Sequence, residues 1–197
     1  MIDRKEFLRS ATTLGLGCGL CSAIPATLAE ASEAGSGAPT HPCDERVKFA
    51  EEWVGRFMGV LDEGLDEATR ARIMEANGAA CARAYLASSG RETSRVPYEQ
   101  WVDRVRSRGP RQDLRIEGNV IHFQYLSNYQ GKDAPEGACL CPLVETKPKG
   151  LSGTFCHCSV GYVREIFSRQ IDRPLKVELV EAVLRGGKRC RFKIEVV

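Results

Sequence analysis

Five of the chain's nine cysteines crowd into its last third, and they limit what the fold can do more than any other feature. The stretch reads Cys139-Leu-Cys141-Pro142, then a Lys/Pro/Gly-rich loop, then Cys156-His157-Cys158, and later Cys190. Thiols brought this close serve as metal ligands, disulfide partners or a reactive thiolate. In an extended segment, residues i and i+2 point the same way and lie about 7 Å apart, so a C-x-C pair can chelate one ion with a modest bend. Two such pairs supply four sulfurs, a donor set that suits tetrahedral zinc. Cys139, Cys141, Cys156 and Cys158 are therefore candidate zinc ligands, with His157, Cys190 and Cys81 as substitutes.

Two other readings stand beside the metal. Cys139 or Cys141 can bridge to Cys156 or Cys158 as disulfides. Alternatively, Cys156 or Cys158 at a helix start can act as a thiolate nucleophile with His157 or His122 as base, because a helix dipole lowers thiol pKa.

The first 31 residues read as an export signal. Arg4, Phe7 and Leu8 resemble the twin-arginine translocation motif, with Lys5 in place of the second Arg. Ser10 to Ala29 carries no charge but is too poor in large apolar residues for a membrane span. Ala29-Glu30-Ala31 has the small-x-small form of a cleavage site, so cleavage is expected after Ala31. Neither Cys18 nor Cys21 fits a lipoprotein box. Both leave with the signal, and seven thiols remain, an odd number that leaves at least one outside any internal bridge. The twin-arginine resemblance implies the twin-arginine export machinery as a partner, folding before export, and an extracytoplasmic, periplasmic destination. No stable membrane span is expected after cleavage. Residues 32–43 read as a linker and 44–197 as one cysteine-rich domain.

With 43% apolar and 27% charged residues, the chain has a globular composition. A net charge of +2 gives no electrostatic case for nucleic acid. Helices are predicted from Asp44 to Gly64, where Val47, Ala50, Trp53, Val54, Phe57, Met58 and Leu61 recur at helical spacing, and from Asp66 to Ala87. The small residues around Asn77-Gly78 and Cys81 imply a close helix crossing or an approach to the cysteines. A short helix from Pro97 to Arg106 carries part of a basic patch formed by Arg104, Arg106, Arg108 and Arg111. Alternation then predicts strands at 113–117 and 120–126, turned at Gly118-Asn119. In the second of these, His122 faces away from Ile121, Phe123 and Tyr125. A helix capped by Ser159 runs to Gln170, and strands at 175–184 and 189–197 join through Gly186-Gly187. Cys190 shares the inward face of Phe192, Ile194 and Val196. The expected class is α+β: N-terminal helices packed on an antiparallel sheet, with a C-terminal β-β-α-β-β unit.

The run Cys156-x-Cys158-x-x-Gly161-Tyr162, then Phe167, Val177-Glu178 and Gly186-Gly187-x-x-Cys190-x-Phe192-x-Ile194 resembles the 4-vinyl reductase type domain. It is also similar to the bacterial group described as L-2-amino-thiazoline-4-carboxylic acid hydrolase-like. That second group also shares the small-residue helix around Gly78 and Cys81, and Cys139-x-Cys141-Pro142. The resemblance implies a fold akin to TRAPP transport-complex subunits, a small-molecule ligand bound between helices and sheet, and, as in some members, a cysteine-bound metal. Ala182 stands where the vinyl-reductase pattern carries another Cys. The expected function is an exported domain that binds zinc and a small molecule. The alternative is a hydrolase of a thiazoline- or amidine-type substrate, working through a Cys nucleophile or a metal-bound water.

Overall fold

The computed structural model describes residues 42–90, 94–126, 128–129, 132–133, 139, 141 and 151–197. The expected signal and cleavage site, with Cys18 and Cys21, lie outside these residues. So does the expected linker, except at Pro42 and Cys43, which begin the first helix.

The architecture is α+β, with the helices at the N-terminal end and most of the strands at the C-terminal end. Helix α1 spans Pro42–Gly64, α2 Glu67–Ser88, α3 Tyr98–Arg106 and α4 His157–Ser168. Strands β1 (Leu114–Glu117), β2 (Val120–Gln124), β5 (Leu175–Glu181) and β6 (Arg191–Val196) form one antiparallel sheet in the order β1-β2-β6-β5. Two short strands, β3 (Asn128–Tyr129) and β4 (Lys132–Asp133), pair with each other apart from it. The expected β-β-α-β-β order is present as β1-β2-α4-β5-β6. Among the described residues no helix is long and apolar enough to cross a membrane.

Period-two alternation makes the sheet one-sided. Ile121 sits opposite Ile194 and Phe123 opposite Phe192, and all four are buried. Their neighbours His122 and Lys193 face solvent or lie half-exposed. Against the buried face lie Trp101 and Val102 of α3 and Val163 and Phe167 of α4. Phe123 and Phe167 meet edge to face, with centroids 5.4 Å apart. Tyr98 donates its hydroxyl hydrogen to the Gly118 carbonyl at 2.8 Å, tying α3 to the β1–β2 turn. Gly118 has a φ of +57°, which the expected hairpin turn requires.

Helix α2 does not lie on the sheet. It packs along α4, in a second layer, and two glycines set the spacing. A Cβ on Gly78 would stand 1.7 Å from the carbonyl oxygen of Cys158, and one on Gly161 would stand 1.8 Å from that of Glu75. The close crossing expected from the small residues of α2 is therefore real, and it abuts the cysteine segment itself. Arg164 donates to Glu75 across it at 2.7 Å.

Helix α1 departs from the single apolar stripe expected of it. Met58 and Leu61 are buried against Met74 and Phe155, but Val47, Phe49, Trp53, Phe57 and Val60 are exposed. Asp62, at its end, accepts a 2.7 Å bond from the Thr154 hydroxyl and lies 3.3 Å from Arg70. Hydrogen bonds from Ser152 and Thr154, with Arg70 nearby, hold its carboxyl below the ordinary value of 3.8. A depressed carboxyl stabilises the fold above its unfolded pKa, and that margin is lost as pH falls through the folded value. Asp62→Asn should thus lower stability at pH 7 by about 1 kcal/mol. It should also flatten the loss of stability of the wild type below pH 3.8, read by urea titration at several pH values.

Candidate functional site

The expected C-terminal strands and helix differ at their ends, and those differences shape the site. Ser152 accepts a 3.1 Å bond from the Thr154 amide and starts a 3-10 helix at Gly153–Cys156. This runs without a break into α4 at His157. The helix thus begins well before Ser159, and Cys156-His157-Cys158 is helical, not extended. Successive helical residues turn by about 100°, so residues i and i+2 point nearly opposite ways.

The two thiols diverge accordingly. Cys158, 2% exposed, is directed at α2, where Asn77 Nδ2 lies 3.9 Å from its sulfur. Cys156 lies within electrostatic reach of Cys190, Cys139, Cys141 and the Arg185 guanidinium. Cys139 and Cys141 are half-buried against the apolar cluster of Met58, Leu61 and Phe155.

Cys190 comes in from the other side. Strand β5 ends at Glu181 instead of running to Leu184, and Val183–Arg185 forms a 3-10 turn. Gly186, with a φ of +86°, reverses the chain there. Glu181 then fastens the returning loop: one of its carboxylate oxygens accepts from the Lys188 amide at 2.6 Å and from the Arg189 amide at 3.1 Å. These bonds hold its carboxyl below the usual carboxylate range. The Cys190 carbonyl accepts from the Tyr125 amide at 3.1 Å. Cys190 is half-buried and packs against the main core, as its inward register implied.

Among the described residues, no disulfide is formed by Cys81, Cys139, Cys141, Cys156, Cys158 or Cys190. Burial, and then the neighbouring Cys190 and Cys139, push the Cys156 thiol up to about 12. Desolvation outweighs the helix start that was expected to lower it. Cys156 without a metal is therefore protonated at neutral pH and is not a ready nucleophile. Among the described residues no three His, Cys, Asp or Glu side chains stand close enough together to hold a metal ion.

His157 is turned away from the thiols. Its Nε2 accepts from Arg185 at 2.8 Å, and its Nδ1 lies 4.0 Å from Glu75. Burial and Arg185 lower its pKa, which favours the neutral ring with the proton on Nδ1. Cys81 is half-buried on α2, one turn past Gly78. His122 lies on the outer sheet face, 3.2 Å from Glu117. Of the basic patch, Arg111 is held by Asp113 at 2.8 Å, and Arg104 and Arg106 complement the end of the α3 dipole.

Sequence reasoning missed Arg185, Glu181 and Glu75, which the fold brings to their partners from distant positions and which no local pattern in the sequence marks.

Fold and site together define an α+β domain in which cysteines from three chain segments come within electrostatic reach of one another. Residues 136–197 match the model of a family of unknown function, DUF6144. Cys139, Cys141, Cys156, Cys158 and Cys190 all fall inside that match. No curated protein matches the chain.

Proposed function

We propose that the chain is an exported metal-binding protein whose Cys139, Cys141, Cys156 and Cys190 hold zinc and serve a site for a small molecule. The observation that carries this is that Cys139, Cys141 and Cys190 all lie near enough to act on the buried thiol of Cys156. Neighbouring thiolates repel one another in a low dielectric, so such a cluster either keeps its protons or trades them for a cation. The donor chemistry fits zinc, which takes four sulfurs readily. The spacing does not yet fit, so binding has to draw the sulfurs together. Cys190 replaces Cys158 in this set because Cys190, and not Cys158, is among the groups that act on the Cys156 thiol. A bound zinc supplies electrostatic cross-linking of three chain segments. The small molecule is the ligand that the resemblance implies, and export rests on the twin-arginine-like signal.

The test is elemental analysis of the full chain paired with a thiol count under denaturation. About one zinc per chain is expected. Cys156→Ser and Cys190→Ser should lose it, while Cys158→Ser and Cys81→Ser keep it. Retention in Cys190→Ser with loss in Cys158→Ser would restore the two C-x-C pairs as the ligand set. No metal, with four thiols unreactive until reductant is added, would refute zinc and favour disulfides.

A further inference from the structure

The exposed side of α1 has a pattern that matches itself. Phe49, Trp53, Phe57 and Val60 follow one another at spacings of four, four and three, which puts them in one stripe along the helix. Their exposures are 63%, 52%, 39% and 65%, while Met58 and Leu61 on the inner side are 2% and 8% exposed. Trp53 and Phe57 stack with centroids 5.3 Å apart, so the stripe is already ordered. From Phe49 to Val60 the stripe is about 17 Å long, a contiguous exposed apolar patch of the kind that marks an interaction surface.

We infer that this ridge is an interface between two copies of the chain, packed antiparallel about a two-fold axis. The centre of the stripe falls between residues 54 and 55. Glu52 and Arg56, an i,i+4 pair on one flank, straddle residue 54. An antiparallel partner centred there brings each Arg56 beside the other copy's Glu52. One axis therefore superimposes the apolar residues on themselves and opposite charges on each other. Glu45 also approaches the partner's Glu63, at the ends of the seam, where solvent screens the repulsion. Antiparallel helices also oppose their dipoles favourably. An anionic membrane is the poorer occupant, because α1 carries six acidic residues against three basic ones.

Sedimentation velocity of the full chain between about 1 and about 100 µM tests this, since a helix pair of this size falls in the micromolar range. The expected result is a dimer that dissociates on dilution. Trp53→Glu should raise the dissociation constant at least ~10-fold without changing the circular dichroism, because Trp53 takes no part in the core. Glu52→Arg alone should weaken the dimer, and Glu52→Arg with Arg56→Glu should restore it. A monomer across the whole range would overturn the inference. So would a dimer indifferent to Trp53→Glu, or flotation of the chain with vesicles of anionic phospholipid.

Discussion

Gly78→Ala and Gly161→Ala should each destabilise the protein by about 3 kcal/mol or more, the upper range for overpacking. Both added methyl groups would meet backbone, not a side chain that can swing aside: the Cys158 carbonyl in one case and the Glu75 carbonyl in the other. The only relief is to move α2 away from α4, which loosens the Glu75–Arg164 pair and the contact between Tyr85 and Tyr162. The same substitution in α1 should act in the opposite direction. A Cβ on Gly55 or Gly59 meets nothing within 4 Å, so Ala there should stabilise by about 0.5–1 kcal/mol through helix propensity. Urea unfolding of the four variants checks both signs in one series. Equal effects at all four positions would refute the close crossing.

Phe192→Ala should cost about 4 kcal/mol, as expected for removing a fully enclosed aromatic. Phe192 is 1% exposed and touches both halves of the sheet, lying opposite Phe123 on β2 and Leu179 on β5. Tyr125 meets its ring edge-on at 5.2 Å. Its loss therefore opens a cavity where two hairpins join, and neither hairpin can collapse into it alone. Val180→Ala, on the same sheet but 60% exposed, should fall within about 0.5 kcal/mol of wild type. A comparable loss at both positions, measured by thermal and urea unfolding, would count against this core.

Much of this fold was legible in the residues. Strong alternation around Ile121 and Phe123, and again from Phe192 to Val196, fixed which sheet face is buried. Gly118 marked its turn because an L side chain rarely adopts that backbone. The small residues of α2 forecast the crossing. What escaped was the state of the chain at Cys156. Cysteine and histidine carry no capping signal, so Ser159 looked like the helix start, and the C-x-C pair looked extended. The actual start depends on Ser152 and on a 3-10 turn, which short-range patterns rarely reveal. Helix α1 failed for another reason. Periodicity reports which residues share a face, but it cannot say how many faces find a cover, and this helix has an apolar ridge on its outer side as well as its inner one.

The divergence of Cys156 and Cys158 has a mechanical result. The two thiols ride on one rigid turn of helix, one turned to the cysteine cluster and the other wedged into the α2–α4 seam beside Asn77. That turn is a short lever with no slack, because the Cys158 carbonyl already touches the place where Gly78 has no side chain. A pull on Cys156 is therefore felt at the close α2–α4 crossing. Whatever displaces Cys156 should therefore also change how firmly α2 is held on α4.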